Sequence, residues 1–329
     1  MHRRRPARRA PARRWLPAAL ALALALLLLA PEPAWAFGPA THIYIGQRLL
    51  GALHLLPGAL ATLLAAHPKS FLYGSVAADI SLAKKYVPAG RHCHFWHVGE
   101  EILEAADSDA LRAVGYGYLS HLAADTVAHN VFVPRQLLLT SSTKALGHSY
   151  WEARLDSHLG EHYSAIAHEV VMHYDHAAAD ALFDRVLSAT IFSFGTNRRI
   201  FRGMIRVQDN QRWQSVFDRV VRSSRWDLDT GVIEAYLSRG FDSVVDYLLR
   251  RRASRPAGLD PVGDFNLQLA KKVRRMALQE GGKDPAELVR MADDFFPMPE
   301  YGLDYWESTK PARQGGEQPL REEGQPNHP

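Results

Sequence analysis

The central helix of the fold is predicted from residues 113–133, AVGYGYLSHLAADTVAHNVFV. This segment combines a long apolar helix pattern with three side chains of types that can bind metals. His121, Asp125 and His129 follow one another at intervals of four. Residues four apart in an α-helix project from nearly the same face, one turn along. Burying two imidazoles and a carboxylate without partners costs free energy, and a shared cation removes that cost. The segment therefore predicts a buried helix that carries a column of metal ligands.

The segment GHSYWEARL, residues 147–155, repeats this spacing with His148 and Glu152. Imidazole nitrogen and carboxylate oxygen together form a ligand set that suits zinc. Fourteen of the sixteen histidines lie between His42 and His176, so the first half of the chain is the metal-rich half. The alternative is that these are core histidines hydrogen-bonded to neighbouring carboxylates. Two such helices in succession favour a metal site.

Helical periodicity dominates the rest of the chain, and no segment shows the alternation of a half-buried strand. The sequence therefore predicts an all-α fold, a multi-helix bundle with extra C-terminal helices. The predicted helices are 39–55, 58–66, 97–106, 109–132, 145–160, 163–176, 178–194, 211–223, 230–252, 263–279 and 285–294.

Residues 1–36 have the pattern of a signal peptide. Seven arginines precede an apolar run over residues 16–30, and AWA at 34–36 is a small-x-small cleavage site. The mature protein is expected to begin at Phe37 and to be exported to the periplasm or secreted. The apolar run is short for a membrane span, which needs about 20 residues, so anchoring by an uncleaved leader is the alternative.

The positive net charge of +4 is mostly a property of this leader. Residues 1–36 hold seven of the 39 Lys and Arg and one of the 35 Asp and Glu, which leaves about −2 for the remainder. Net charge therefore does not indicate a surface that binds polyanions. The single cysteine, Cys93, excludes an intramolecular disulfide; it is a possible soft metal ligand or a buried small residue.

The distribution of histidines also divides the chain. Residues 37–176 are expected to form a metal-binding catalytic core, and residues 177–300 to form a helical extension packed on it. The extension contains no histidine, and the sequence does not indicate its role. Residues 301–329, rich in Pro, Gly, Glu and Gln, are expected to be a flexible tail.

Five segments in order resemble a known family: FGPATH at 37–42, YGSVAADI at 73–80, RHCHFWH at 91–97, and the two helices above. In order and type they are similar to the zinc-dependent phospholipase C family and the related single-strand-specific nucleases. The resemblance covers residues 37–155. It implies an all-α fold with up to three zinc ions, one of them chelated by the main chain of the mature first residue.

The resemblance also implies a ligand for each position. The three sets are the main chain of Phe37 with His42 and Asp125; Asp79, His94 and His121 with Asp125 as a bridge; and His129, His148 and Glu152. Asp79 and Asp125 would be the catalytic carboxylates, with Asp79 a possible general base. The interval of four between Asp125 and His129 is shorter than the six usual in the family. Within RHCHFWH, His94 is preferred because two aromatic residues follow it, with His92 and His97 as alternatives.

This resemblance implies an exported zinc-dependent hydrolase of phosphodiester bonds, of the phospholipase C type. Its expected substrate is a phospholipid at a membrane surface, nucleic acid is a less favoured substrate, and no protein partner is implied. The alternatives are a single-strand-specific nuclease and a non-catalytic envelope protein stabilised by metals. The nearly neutral charge of the mature chain favours the lipid substrate, because a nuclease for single strands needs a cationic groove.

Overall fold

The computed structural model describes residues 37–82, 84–140, 145–190, 192–208, 228–279, 284–299 and 304–310. The predicted signal peptide and the predicted helix 211–223 lie outside these ranges. Within them the regular structure is helical throughout and no strand is present, so the all-α prediction is confirmed. No helix in these ranges combines the length and the apolar character needed to cross a membrane.

The helices of the first half are α1 Pro39–Leu50, α2 Gly58–Ala66, α3 Pro68–Ala77, α4 Trp96–Glu104, α5 Asp109–Val127, α6 Val133–Leu139, α7 Ala145–Leu159 and α8 Glu161–His173. Those of the second half are α9 Ala177–Val186, α10 Phe194–Gln208, α11 Thr230–Arg250, α12 Asp264–Gln279, α13 Pro285–Phe295 and α14 Tyr305–Ser308. Short 3₁₀ turns occur at Leu53–Leu55, Ala78–Ile80, Lys84–Tyr86, Arg251–Ala253 and Pro256–Gly258.

Helix α5 is the centre of the bundle. It begins where the Ser108 side chain caps the Leu111 amide, and every residue from Gly117 to Val127 is buried. A helix that is apolar on all sides has this environment, because it must be surrounded by other elements. Helices α3, α4 and α11 pack around it, and a π-helical turn, Ala128–Phe132, joins it to α6.

Two glycines let α3 and α5 approach closely. A Cβ atom added to Gly74 would lie 2.0 Å from the Val114 carbonyl oxygen, and one added to Gly117 would lie 2.1 Å from the Phe71 carbonyl oxygen. Both neighbours are backbone atoms, so neither can move aside without displacing a helix. This contact fixes α5 against α3, the helix that runs into the 3₁₀ turn carrying Asp79.

Gly117→Ala is expected to lower the free energy of unfolding by about 2–3 kcal/mol, because the added methyl group forces the two helices apart. Gly203→Ala on α10 is the matched control, since a Cβ there meets nothing within 4 Å. The control is expected to leave stability unchanged or to raise it by up to about 1 kcal/mol. Denaturant titration of both variants measures the difference, and equal stabilities would contradict the close contact.

The second half of the chain packs directly on the first. Helix α11 is capped by Asp229 and runs along α5, while α12 and α13 pack against α6. Buried residues of both halves belong to one hydrophobic core. The function of this half was not predictable from sequence, but its position beside α5 and α6 brings it to the predicted ligands.

Residues 304–310 differ from the prediction of a flexible tail over 301–329. Trp306 is 3% exposed, and its backbone amide donates to Asp242 Oδ1 at 2.8 Å. The Arg48 guanidinium lies 3.6 Å from the centre of its ring. Composition did not reveal this contact, because one buried tryptophan is enough to anchor a polar segment.

Four helices were absent from the prediction, namely α3, α6, α10 and the short α14. Helix α3 lacks an amphipathic pattern because all residues from Phe71 to Ala77 are buried. Helix α6 contains Pro134, which ordinarily ends a helix but is tolerated in the first turn, where it lies here. The predicted helix 178–194 ends at Val186, and the predicted helix 39–55 divides at Gly51 into α1 and a 3₁₀ turn.

Candidate metal centre

Eight predicted ligand side chains form one buried cluster, and none of them is more than 3% exposed. They are His42 on α1, Asp79 in the 3₁₀ turn after α3, His94 before α4, His121 and Asp125 on α5, His129 in the π turn, and His148 and Glu152 on α7. Elements far apart in sequence therefore bring together the residues that the sequence predicts as ligands. Their ligand atoms fall into three groups, within each of which all atoms lie within 4.8 Å of one another.

The first group contains His42, His121 and Asp125, and the Asp125 carboxylate is its centre. His42 Nε2 lies 3.3 Å from Asp125 Oδ1, while His94 Nε2 and His121 Nε2 each lie 3.1 Å from Oδ2. The His42 and His121 rings are stacked, with 3.8 Å between their centres. One carboxylate thus faces histidines from three separate elements, with His42 at one oxygen and His94 and His121 at the other.

The second group contains Asp79, His94 and His121. Asp79 Oδ1 lies 3.4 Å from His94 Nε2 and 3.9 Å from His121 Nε2. The two imidazole nitrogens are 3.1 Å apart. This group shares His121 with the first, so the two groups are direct neighbours.

The third group contains His129, His148 and Glu152. His148 Nε2 lies 3.0 Å from Glu152 Oε1, one turn apart on α7. His129 belongs to the π turn Ala128–Phe132, and its ring centre is 5.4 Å from that of His148. Single π turns within α-helices are frequent at functional sites, and this one accommodates the short interval after Asp125.

Backbone carbonyls fix which nitrogen of two histidines faces the cluster. Ser75 O lies 2.9 Å from His121 Nδ1, and Pro261 O lies 2.5 Å from His129 Nδ1. A carbonyl can only accept, so each Nδ1 carries the hydrogen, and Nε2 keeps its lone pair for a metal. Histidines that bind metals are usually oriented in this way.

Several polar atoms of the cluster are buried without a hydrogen-bond partner among the described residues. They are His42 Nε2, both oxygens of Asp125, His129 Nε2 and both oxygens of Glu152. Leaving such groups unsatisfied costs about 1–3 kcal/mol each, and more for charged groups. The carboxylate oxygens are acceptors, and so is His129 Nε2, because its Nδ1 carries the hydrogen; a bound cation would satisfy these atoms together. The residues present therefore fit a metal.

The protonation states agree with this conclusion. Burial lowers the pKa of His129 to about 3 and also lowers that of His42, so both imidazoles are neutral and able to bind a metal. Burial, reinforced by Asp79 and Asp125, raises the pKa of Glu152 well above its ordinary value. An ionised Glu152 is therefore stable here only beside a positive charge.

Asp156 on α7 fixes the start of α1, a role the sequence did not predict. Its carboxylate accepts hydrogen bonds from the backbone amides of Ala40 and Thr41 at 3.0 Å and from Thr41 Oγ1 at 2.6 Å. Both amides belong to the first turn of α1, where the usual intrahelical acceptors are missing, and the Thr41 amide also donates to Gly38 O at 3.1 Å. Asp156 therefore caps α1 from another helix. A Cβ at Gly38 would lie 2.1 Å from Asp156 Oδ2, so a side chain there would displace the capping carboxylate. The cap holds His42 in place.

A strap from the second half of the chain, residues 259–263, lies across the metal centre. Three successive carbonyls accept hydrogen bonds from Trp96, Asn130 and His129. The pairs are Trp96 Nε1 to Leu259 O at 2.9 Å, Asn130 Nδ2 to Asp260 O at 2.8 Å and His129 Nδ1 to Pro261 O at 2.5 Å. The strap therefore orients a predicted ligand, and no sequence pattern marks it.

Lys84 is another residue that sequence reasoning missed. Its side chain is 4% exposed, and its Nζ donates to Asp79 Oδ1 at 2.8 Å. The two residues are five apart in the connection between α3 and α4, which has no regular periodicity. No pattern in the sequence predicted a lysine within the cluster of metal ligands.

His94 is the histidine of RHCHFWH that reaches Asp79 and Asp125. His92 Nδ1 accepts the backbone amide of His94 at 3.1 Å and lies beside the cluster with Cys93. His97 is exposed and hydrogen-bonded to its own loop. The structure therefore favours His94 among the three candidates.

Phe37, the remaining predicted site residue, is fully buried. Its ring centre lies 6.1 Å from that of His42 and 6.0 Å from that of Phe132. The residue expected to begin the mature chain therefore lies next to the first group. Chelation by its main chain stays a prediction.

A family model described as zinc dependent phospholipase C matches residues 41–193. This range contains all eight clustered side chains, and Phe37 lies just before it. No curated protein and no solved structure gives a significant match to the chain.

Proposed function

We propose that this chain hydrolyses phosphodiester bonds and releases the head group of a phospholipid, because residues 41–193 belong to the zinc-dependent phospholipase C family. The observation that carries the proposal is the Asp125 carboxylate, whose Oδ1 faces His42 and whose Oδ2 faces His94 and His121. A carboxylate shared in this way suits two cations held close together. Paired cations clamp the attacking and leaving oxygens of an in-line displacement at phosphorus.

The donor set fits zinc, which takes imidazole nitrogen and carboxylate oxygen. The proposed ligands for up to three ions are His42 and Asp125 with the Phe37 main chain; Asp79, His94 and His121 with Asp125; and His129, His148 and Glu152. Bound zinc would lower the pKa of a coordinated water and offset the charge that develops on the phosphoryl oxygens.

The protein's own residues have two tasks in this mechanism. Ser75 and Pro261 hold the tautomers of His121 and His129 through their carbonyls. Asp79 would receive the proton of the attacking water, since its carboxylate lies beside the histidines of the second group. Burial alone would raise the pKa of Asp79, but Lys84 and His121 lower it overall, so the carboxylate is ionised.

A lipid substrate is favoured over a nucleic acid by charge. The chain from residue 37 onward carries about −2, whereas binding of single strands requires cationic grooves with stacking platforms. The half-buried Phe95 and Trp96 follow His94 and supply apolar surface at the edge of the centre.

The test is a parallel assay of the purified protein, lacking residues 1–36, on phosphatidylcholine, a chromogenic phosphodiester and single-stranded DNA. We expect phosphate ester release from the lipid and the chromogenic compound, abolished by chelation and restored by zinc. Turnover of DNA alone would contradict a lipid hydrolase and indicate a nuclease instead. Zinc binding without turnover of any of the three would contradict an enzymatic function.

We further propose that the protein is exported, that residues 1–36 are removed and that the amine and carbonyl of Phe37 join His42 as ligands. Adding one residue before Phe37 should then lower zinc content and activity, although no side chain changes. Zinc analysis and rate measurements on both forms check this. Removing the extra residue with an aminopeptidase should restore both, and full zinc content in the extended form would refute chelation by Phe37.

A further inference from the structure

Lys84 places a positive charge inside the metal centre. Its Nζ lies 2.8 Å from Asp79 Oδ1, and 3.3 and 3.4 Å from Nε2 and Nδ1 of His94. The residue is buried in the short 3₁₀ turn Lys84–Tyr86, so solvent does not screen the ammonium from these neighbours. The cation of Lys84 thus lies against two members of the second group.

The three ligand groups differ in whether their buried acceptors already have hydrogen-bond partners. The first and third contain buried acceptors without a hydrogen-bond partner among the described residues, on His42, Asp125, His129 and Glu152. In the second group, apart from the shared Asp125, Asp79 Oδ1 already accepts from Lys84, and His121 Nε2 lies 3.1 Å from His94 Nε2. Binding of a cation therefore satisfies unpaired atoms in the first and third groups, whereas in the second it must compete with an existing partner.

Sharing one carboxylate between an ammonium and a divalent cation also brings like charges together. Their repulsion is large at such separations, because the protein interior screens charge far less than water does. We propose that Lys84 competes with zinc for Asp79 and makes the Asp79–His94–His121 site the weakest of the three. This inference rests on the proposed zinc-dependent function and adds an order of loading to it, in which the second site fills last.

The experiment is a zinc titration of the purified protein, lacking residues 1–36, against a chromogenic chelator, with zinc content measured after gel filtration. The wild type should retain two ions and bind the third at least about tenfold more weakly. Lys84→Met removes the ammonium and should bring the third ion to within a few-fold of the others. Three ions of equal affinity in the wild type, or no change in Lys84→Met, would overturn the proposal.

Two control variants separate charge from general disturbance. Lys84→Arg keeps the positive charge and should preserve the weak third site, whereas Lys69→Met removes an exposed lysine that contacts Tyr174 and should also leave it unchanged. A strengthened third site in Lys84→Arg, or in Lys69→Met, would contradict a specific competition at Asp79.

A second variant keeps the proposal testable if Lys84→Met fails to fold. Asp79→Asn should remove the weak binding event and leave both tight ions in place, because Asp79 belongs only to the second group. Loss of a tight ion instead would overturn the assignment. All of these measurements report zinc affinity, so an absence of hydrolysis would refute the proposed function while leaving the titration result intact.

Discussion

Asp125→Asn is expected to lower hydrolysis of a phosphodiester by more than about 100-fold and to release bound zinc. The amide cannot reproduce a carboxylate that faces histidines through both oxygens, at 3.3 Å on one side and 3.1 Å on the other. Its NH₂ group would also point a donor toward imidazoles that must supply lone pairs. Because Asp125 is proposed as a ligand in two of the three groups, one substitution should affect both. Initial rates and zinc content of the purified variant measure the effect.

The matched control is Asp246→Asn on α11. Asp246 is also fully buried, but it accepts the backbone amide of Arg255 and pairs with Arg250, away from the cluster. This variant should lose stability while keeping its zinc. Equal zinc loss in both variants would mean that the effect of Asp125→Asn reflects general damage to the fold, and full zinc content in Asp125→Asn would refute the bridging role.

The grouping of ligands within each helix was predictable from sequence because it depends on local geometry. His121 and Asp125 on α5, and His148 and Glu152 on α7, are each one turn apart, and the spacing alone places each pair on one face. The order of these segments, together with the early histidine, was enough to indicate the family. Helix α3 could not be found in this way, since a helix buried on all sides has no amphipathic period.

The contacts that orient the ligands were not predictable, because they join residues far apart in sequence. The carbonyl that holds His121 is 46 residues away, and the one that holds His129 is 132 residues away. Every residue has a backbone carbonyl, so no sequence motif shows which carbonyl will orient a ligand. The spacing also predicted a regular helix through His129, whereas the structure has a π turn there. Lys84 lies in an irregular connection and was missed for the same reason.

The strap gives the second half of the chain a role at the metal centre. Gly263 at its end has a positive φ of 63°, a conformation that side chains with a Cβ rarely adopt. A Cβ at this position would lie 2.5 Å from His129 Cβ and 2.6 Å from the His129 carbonyl oxygen. The glycine therefore allows the strap to lie directly on the π turn, and the adjoining Pro261 carbonyl then reaches His129 Nδ1.

Gly263→Ala is accordingly expected to lower the free energy of unfolding by about 3 kcal/mol and to release the zinc held by the third group. The methyl group must push the strap away from His129, which breaks the bond to Pro261 and frees the imidazole to turn. Gly258→Ala is the control, because that residue lies in the preceding turn with nothing within 4 Å of its added Cβ. Thermal unfolding and zinc content should be normal for the control and reduced for Gly263→Ala. If Gly263→Ala unfolds earlier yet keeps full zinc, the strap stabilises the fold without orienting His129, and the second half of the chain has no part in holding the metal.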